Sequence, residues 1–206
     1  MAAEKKETSK LFVPTRESGK LYKIDDHILA AVSGVVSDAN ILIDQGRLHS
    51  QRHLYSRCTP ILVEQLVRGI ADRKHVYTMQ GSSRPYGGSM MYAGYDSSMG
   101  YQLYCSDPSG NYAAWRANAT GKNSVNARSI LKDEYSEELN LKEATALAVK
   151  VLAKSMDLAK PDAAKFEIGV ITRDASGTVV QRNVEGDELN QILADSKIFD
   201  KAEGKK

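Results

Sequence analysis

The order of strand-like and helix-like stretches predicts an α+β fold in four layers, αββα. Three observations lead there. Strand runs are grouped, with helical runs between the groups rather than between single strands, which argues against a repeated βαβ unit. Residues 89–120 read as a three-stranded meander whose apolar side needs a cover. Two helix pairs, one before the meander and one after it, carry the apolar stripes to supply that cover. Two antiparallel sheets face to face, each with a helix pair outside, would bury every stripe.

Residues 1–10 are charged, and Ala2 and Ala3 are their only apolar content besides Met1, so the chain enters like the end of a strand. Residues 14–19 are loop. Residues 21–24 and 28–33 form a hairpin around Asp25-Asp26-His27, and the nearly all-apolar second strand should lie centrally, covered on both faces. Ser37 is expected to cap a helix running to about residue 57, with Ile41, Leu42 and Leu48 in its apolar set. Pro60 suits the first position of a second helix, striped by Leu62, Leu66 and Ile70 and stopped by Gly81 and Arg84-Pro85-Tyr86-Gly87-Gly88.

In the meander, Asp96 to Gly100 closes one turn. Asp107-Pro108-Ser109-Gly110 closes the next, in a type I pattern. Tyr101, Leu103 and Cys105 share one phase of the middle strand; Tyr112, Ala114 and Arg116 alternate with Trp115 on the last. Asn123 or Ser124 opens a third helix with Ala127, Ile130, Leu131 and Tyr135 inward. Asn140, with Glu143 three residues on, forms a capping box for a fourth, striped by Ala144, Leu147, Ala148, Val151 and Leu152. Residues 166–173 and 178–182 make a last hairpin, turned at Asp174-Ala175-Ser176-Gly177. A short helix over 187–194 completes a single domain, 1–194, and 195–206 is a charged, disordered tail.

A chain of 206 residues suits one domain with a sizeable core. Net charge is +2 and the excess sits in the tails, so no basic face argues for nucleic acid. No apolar run approaches the ~20 residues of a membrane span, and no signal-peptide core is seen. Cys58 and Cys105 stand far apart without a CxxC context and read as reduced thiols. Asn118-Ala119-Thr120 matches the glycosylation triplet by chance. His49 and His53 have zinc-pair spacing, but Ser50 and Gln51 stand where HExxH needs its glutamate, so they read as a packed or solvated pair. Asp25-Asp26 is turn chemistry. The glycine pairs near 81–89 lack phosphate-loop spacing, there is no GxSxG elbow, and Arg84-Pro85-Tyr86-Gly87 reads as a rigid turn. No cofactor, metal site or catalytic constellation is expected.

Several stretches occur together in one order: KLYKIDDHI (20–28), AAVSG (30–34), SDANILI (37–43), LHSQR (48–52), VEQLV (63–67), RPYG (84–87), YAGYD (92–96), YQLYCSDPSGNY with Trp115 (101–115) and LKDEY (131–135). Together they resemble the α-type subunits of the 20S proteasome, most like the α3 member of the eukaryotic ring. The resemblance covers nearly the whole chain, about residues 2–193, and the SDPSGNY stretch is its most subunit-specific part. Gln80-Gly81-Ser82-Ser83 and Gly88 depart from the family's usual Gly-Gly pair and valine.

The resemblance implies the αββα sandwich of N-terminal-nucleophile hydrolases without catalysis. Peptidase members of that superfamily attack with a Thr, Ser or Cys exposed at a processed N-terminus, whereas the first hydroxyls here, Thr8 and Ser9, lie in a charged stretch. It implies a structural and gating subunit that assembles with neighbouring α subunits and the β ring. Such a subunit docks ATPase caps or other activators through their C-terminal tails, in ubiquitin-dependent degradation in cytoplasm and nucleus. Activator tails enter between α subunits, where a family lysine matching Lys20 pairs with the tail carboxylate beside the strand end matching Gly34 and Val35. Family members begin earlier, with a gate tail, an N-terminal helix and a first strand. Residues 1–6 are therefore expected to enter midway through the second strand of a truncated subunit, leaving an open edge and poor ring assembly. The rival readings are an active N-terminal-nucleophile hydrolase and a free-standing paralogue or fragment.

Overall fold

A computed structural model of the chain describes residues 1–5, 11, 19–81, 83–156, 165–184 and 187–195. Its elements are β1 (Ala2–Glu4), β2 (Leu21–Asp25), β3 (Ile28–Gly34), α1 (Val36–Arg57), α2 (Val63–Met79), β4 (Gly88–Asp96), β5 (Gly100–Ser106), β6 (Tyr112–Ala114), α3 (Ser124–Glu134), α4 (Leu141–Ser155), β7 (Phe166–Arg173), β8 (Val179–Val184) and α5 (Asp187–Asp195). This is the expected succession, opened by a short strand. The strands form two sheets, β1-β7-β8 and β2-β3-β4-β5-β6. All four pairings of the larger sheet are antiparallel, and so is β1 on β7. The class is α+β. Thr8, Ser9, most of the predicted 14–19 loop and the tail from 196 lie outside the described residues.

The chain divides into two compact units. Leu21–Gly121 with Ile171–Gln181 forms one. Met1–Lys20, Lys122–Val170 and Arg182–Lys206 form the other.

In the first of these, alternate residues of the sheet point at one helix layer, as a period of two requires. Tyr22, Ile24, Ile28, Ala30, Val32, Met90, Tyr92 and Tyr104 meet Ala39, Leu42 and Ile43 of α1 and Val63, Leu66, Val67 and Ile70 of α2. Strand β3 lies between β2 and β4, and Leu29 and Ala30 are both buried although they occupy opposite phases. On β5 the helix-facing phase is Tyr104 and Ser106, so Tyr101, Leu103 and Cys105 turn the other way. The turn at Asp107 forms as expected: its carboxylate accepts the Ser109 and Asn111 amides, and Gly110 takes φ 91°.

Two helix starts differ from the sequence expectation. Ser37 lies inside α1, whose N-cap is Val35 with no side-chain cap bond. The neighbouring carboxylate, Asp38, is taken by Arg84 and Gly87 instead. Helix α2 opens at Val63, not Pro60, because its cap arrives from β4: Asp96 Oδ2 accepts the Val63 amide at 3.1 Å.

In the other unit, Val149 and Ala153 of α4 pack on Phe166, Ile168 and Val170 of β7, Val184 of β8 and Leu189 of α5. The buried face of α4 is Thr145, Val149, Val151 and Ala153. The predicted stripe is therefore corrected by about one position. Ala144 is exposed, and Leu147, Ala148 and Leu152 are half-buried on the flanks, because α3 and α5 as well as the sheet compete for this helix. On α3 only Ala127 is buried; Tyr135 falls at the C-cap and is exposed. Both halves of the predicted capping box are made, Asn140 Oδ1 accepting the Glu143 amide and Glu143 Oε2 the Asn140 amide, each at 2.9 Å. Asn140→Ala is expected to cost about 1 kcal/mol and Asn140→Ser much less, read as a shift of the urea midpoint. Equal losses for both would show that the cap is not what holds this end.

Candidate functional site

Gly34 and Val35 end β3, and two contacts shape that end. The Val35 amide donates to Gly87 O at 2.8 Å, and its carbonyl accepts from the Ala39 amide at 3.1 Å. Gly34 stands opposite Gly88 in register and takes φ +125°. Only glycine suits this conformation, and a Cβ there would lie 2.2 Å from Gly87 O. Because the Val35 amide bonds Gly87 O, Gly34 beside it is a non-bonded position whose own N–H and C=O point away from β4. The strand on that side is β2, whose first pair among the described residues is Leu21 with Ala31.

Gly87 is held in turn by Asp38. Asp38 Oδ2 accepts the Gly87 amide at 2.8 Å, and the Arg84 guanidinium grips both carboxylate oxygens at 2.6 and 2.8 Å. The Asp38 side chain is 4% exposed and that of Arg84 69%, so a buried carboxylate is tied to a charge at the surface. The arginine's hydrogen bonds, then the Gly87 amide, hold the Asp38 carboxyl at about 2, outweighing burial. Tyr86 turns inward, edge-on to Tyr77 with 4.8 Å between ring centroids. The RPYG segment is the rigid turn that its composition suggests.

Lys74 escaped the sequence reading. Its side chain is fully buried under the sheet, and the ammonium donates to Ser106 Oγ at 2.9 Å, Gly88 O at 3.1 Å and, more weakly, Asp107 O at 3.4 Å. Burial pushes its pKa down to about 8, and the Asp107 charge only partly opposes this. The signal was its position: Lys74 continues the stripe of Val67, Ile70 and Ala71 at helical spacing. The same pocket holds the Tyr92 hydroxyl, 3.2 Å from Ser106 Oγ, whose ionisation burial pushes up.

Lys20 belongs to the other unit and is described there. Its side chain is 42% exposed, and Nζ lies 3.7 Å from Glu4 Oε2, a loose ion pair. Its backbone amide donates to Glu167 Oε2 at 2.8 Å, which fixes the residue's stem while leaving the amine accessible.

The remaining polar clusters are structural. Ser50 donates to Asp25, which lies 3.7 Å from His27 Nδ1, while His27 Nε2 is 2.7 Å from Ile61 O. With the carboxylate between serine and imidazole, the imidazole does not bond the hydroxyl, and its far nitrogen is already occupied. His49 packs against Gly69; burial, then the charges of His53 and Arg52, push its pKa down. Among the described residues no group of three or more His, Cys, Asp or Glu could hold a metal, and no helix is long and apolar enough to cross a membrane. Neither cysteine is in a disulfide, and Asn118 of the glycosylation-type triplet spends its side chain on Cys105 Sγ and the Ala119 amide.

Residues 1–171 match the family model described as "Proteasome subunit". The chain is 46% identical over 195 residues, 94% of its own length and 78% of the relative's, to "Proteasome subunit alpha type-4-2" of Oryza sativa subsp. indica. It is 43% identical over 196 residues, 95% of its length and 78% of the relative's, to "Proteasome subunit alpha type-4" of Spinacia oleracea. To "Proteasome subunit alpha type-4-A" of Arabidopsis thaliana it is 44% identical over 193 residues, 94% and 77% respectively.

Proposed function

This chain belongs to the proteasome subunit family as an α-type member, and from that premise we propose that it fills the α3-like place in the outer ring and helps to gate and dock there. Alpha-type subunits are non-catalytic components of the 20S core, and this chain is a structural subunit of it; that sets aside the hydrolase alternative. In the proposed role it assembles with neighbouring α subunits and the β ring, in cytoplasm and nucleus. It receives the C-terminal tails of an ATPase cap or other activator in ubiquitin-dependent degradation. The ordered motif set, with the SDPSGNY stretch its most subunit-specific part, supports the α3-like place.

The observation that carries the docking role is the half-exposed Lys20 amine, whose nearest described carboxylate sits at a loose 3.7 Å. A tail carboxylate could displace Glu4 and gain shorter, charge-assisted bonds. Gly34 offers peptide groups that β4 leaves unused.

Native mass spectrometry of this chain co-expressed with the other ring subunits tests assembly. A stoichiometric ring would support the assembled role against the poor assembly expected from the sequence; a chain that stays alone would leave the free-standing reading. In a ring where only this pocket is intact, Lys20→Ala should weaken a tail peptide roughly tenfold, the loss of one partly desolvated charge pair. Unchanged affinity and gate opening would remove Lys20 from the pocket.

A further inference from the structure

We propose that Asp38, Arg84 and Gly87 act as a clamp that aims the β3 end, and so sets how tightly that strand end takes a peptide carboxylate; this deepens the docking reading above and rests on it. The chain of contacts is continuous. The surface guanidinium fixes a buried carboxylate through a two-pronged bond, and the carboxylate fixes the Gly87 amide. The Gly87 carbonyl in turn fixes the Val35 amide. Both peptide groups of Val35 are spent inside the chain, one on Gly87 and one on Ala39, and Gly34 beside it turns its own peptide groups away from β4. Its φ of +125° lies directly against Gly87, whose carbonyl a Cβ there would meet at 2.2 Å.

The fit is close on the other side as well. A Cβ on Gly87 would lie 2.8 Å from Val35 Cγ2. Lys74 supports the same corner from beneath by donating to Gly88 O. Arg84 therefore needs no contact with the tail to influence it. It is a positioning residue that works through Asp38 and Gly87.

The geometry also ranks the variants. Arg84→Lys keeps the charge but loses the fork that matches both carboxylate oxygens, whereas Arg84→Gln loses the charge as well. Asp38→Asn keeps an acceptor for Gly87 or one for Arg84, but not the ion pair.

The test uses the reconstituted ring with this pocket intact and a fluorescent activator-tail peptide, alongside amide exchange at Val35. Arg84→Gln and Asp38→Asn should weaken the peptide about fivefold and speed Val35 exchange, with Arg84→Lys between them and wild type. Asn140→Ala, which loosens a helix end in the other unit, should leave affinity unchanged and thereby separates aiming from general destabilisation. If Lys20→Ala weakens the peptide but the Asp38 and Arg84 variants do not, the clamp is wrong and the docking reading stands. If the clamp variants weaken it and Lys20→Ala does not, the strand end takes the carboxylate without the lysine, which overturns the docking role of Lys20 and supports the clamp. Should none of them move affinity, both ideas fall. Should Asp38→Asn not assemble, the order wild type, Arg84→Lys, Arg84→Gln decides the matter, and three equal affinities would reject the clamp.

Discussion

Lys74→Ala is expected to destabilise the chain by about 3–5 kcal/mol, seen as a lowered urea midpoint, because it empties a buried site and strands its acceptors. An ammonium has three donors, and three acceptors wait for it: Ser106 Oγ, Gly88 O and Asp107 O. Lys74→Met keeps most of the stem's packing and removes the buried charge, so it should cost clearly less than alanine. The two variants can also be told apart from wild type by pH. The folded pKa is lowered to about 8 from 10.5. Between those values the unfolded chain holds a proton that the folded chain has released, so this group makes wild type more stable as pH rises through the window. Relative to Lys74→Met, wild type should gain up to about 3 kcal/mol between pH 7 and pH 10. A gap that stays flat across that range would mean that the amine is not buried as a charge.

Asp96→Ala should be comparably severe, about 3 kcal/mol, since one half-turn of chain depends on both of its oxygens. Oδ1 accepts the Ser98 and Met99 amides, at 3.0 and 2.9 Å, and Oδ2 accepts the Val63 amide at 3.1 Å and Gln102 Nε2 at 2.7 Å. The same carboxylate thus closes the β4–β5 turn and caps α2. Asp96→Asn should lose nearly as much, because its amide would face a pair of donors. Burial raises this carboxyl's pKa, but the bonds from Met99, Gln102, Val63 and Ser98 outweigh it, and the net shift is downward. Its contribution is therefore present above the unfolded carboxylate value and is lost as pH falls through the lower folded one. Acid titration followed by circular dichroism should show wild type losing stability below about pH 4 more steeply than Asp96→Ala. Parallel acid limbs would refute this assignment.

What could be read from the sequence divides by distance along the chain. Signals whose partners lie within a few residues were legible: the Asn140–Glu143 box, the turns at Asp107 and Asp174, and the end of α2 before the RPYG segment. Signals whose partners lie far away were not. The cap of α2 comes from Asp96, and the carboxylate beside the start of α1 is answered by Arg84 and Gly87. A local rule therefore put those two helix starts at Pro60 and Ser37. The stripe on α4 was misphased for a related reason: periodicity locates an apolar face, but only the neighbours decide which edge of it is innermost. Lys20, Gly34 and Val35 rested on family resemblance alone. The physical features of that strand end, a positive φ under a carbonyl and a spent neighbouring amide, depend on Gly87 and have no local signature.

The two turns built as Asp-x-Ser-Gly have a consequence for how the chain finds its sheets. In each, one aspartate oxygen gathers the serine amide, the serine hydroxyl and the amide four residues on, while the glycine takes a positive φ of 91° or 85°. Such a loop is complete within five residues, and its closure requires no distant part of the chain. It therefore specifies strand alignment from local contacts alone. A slip of one residue in the second hairpin would turn Phe166, Ile168 and Val170 out of their cluster and into solvent. The polar tips of these hairpins thus specify the same register as the apolar faces, by bonds that a slipped pairing would break.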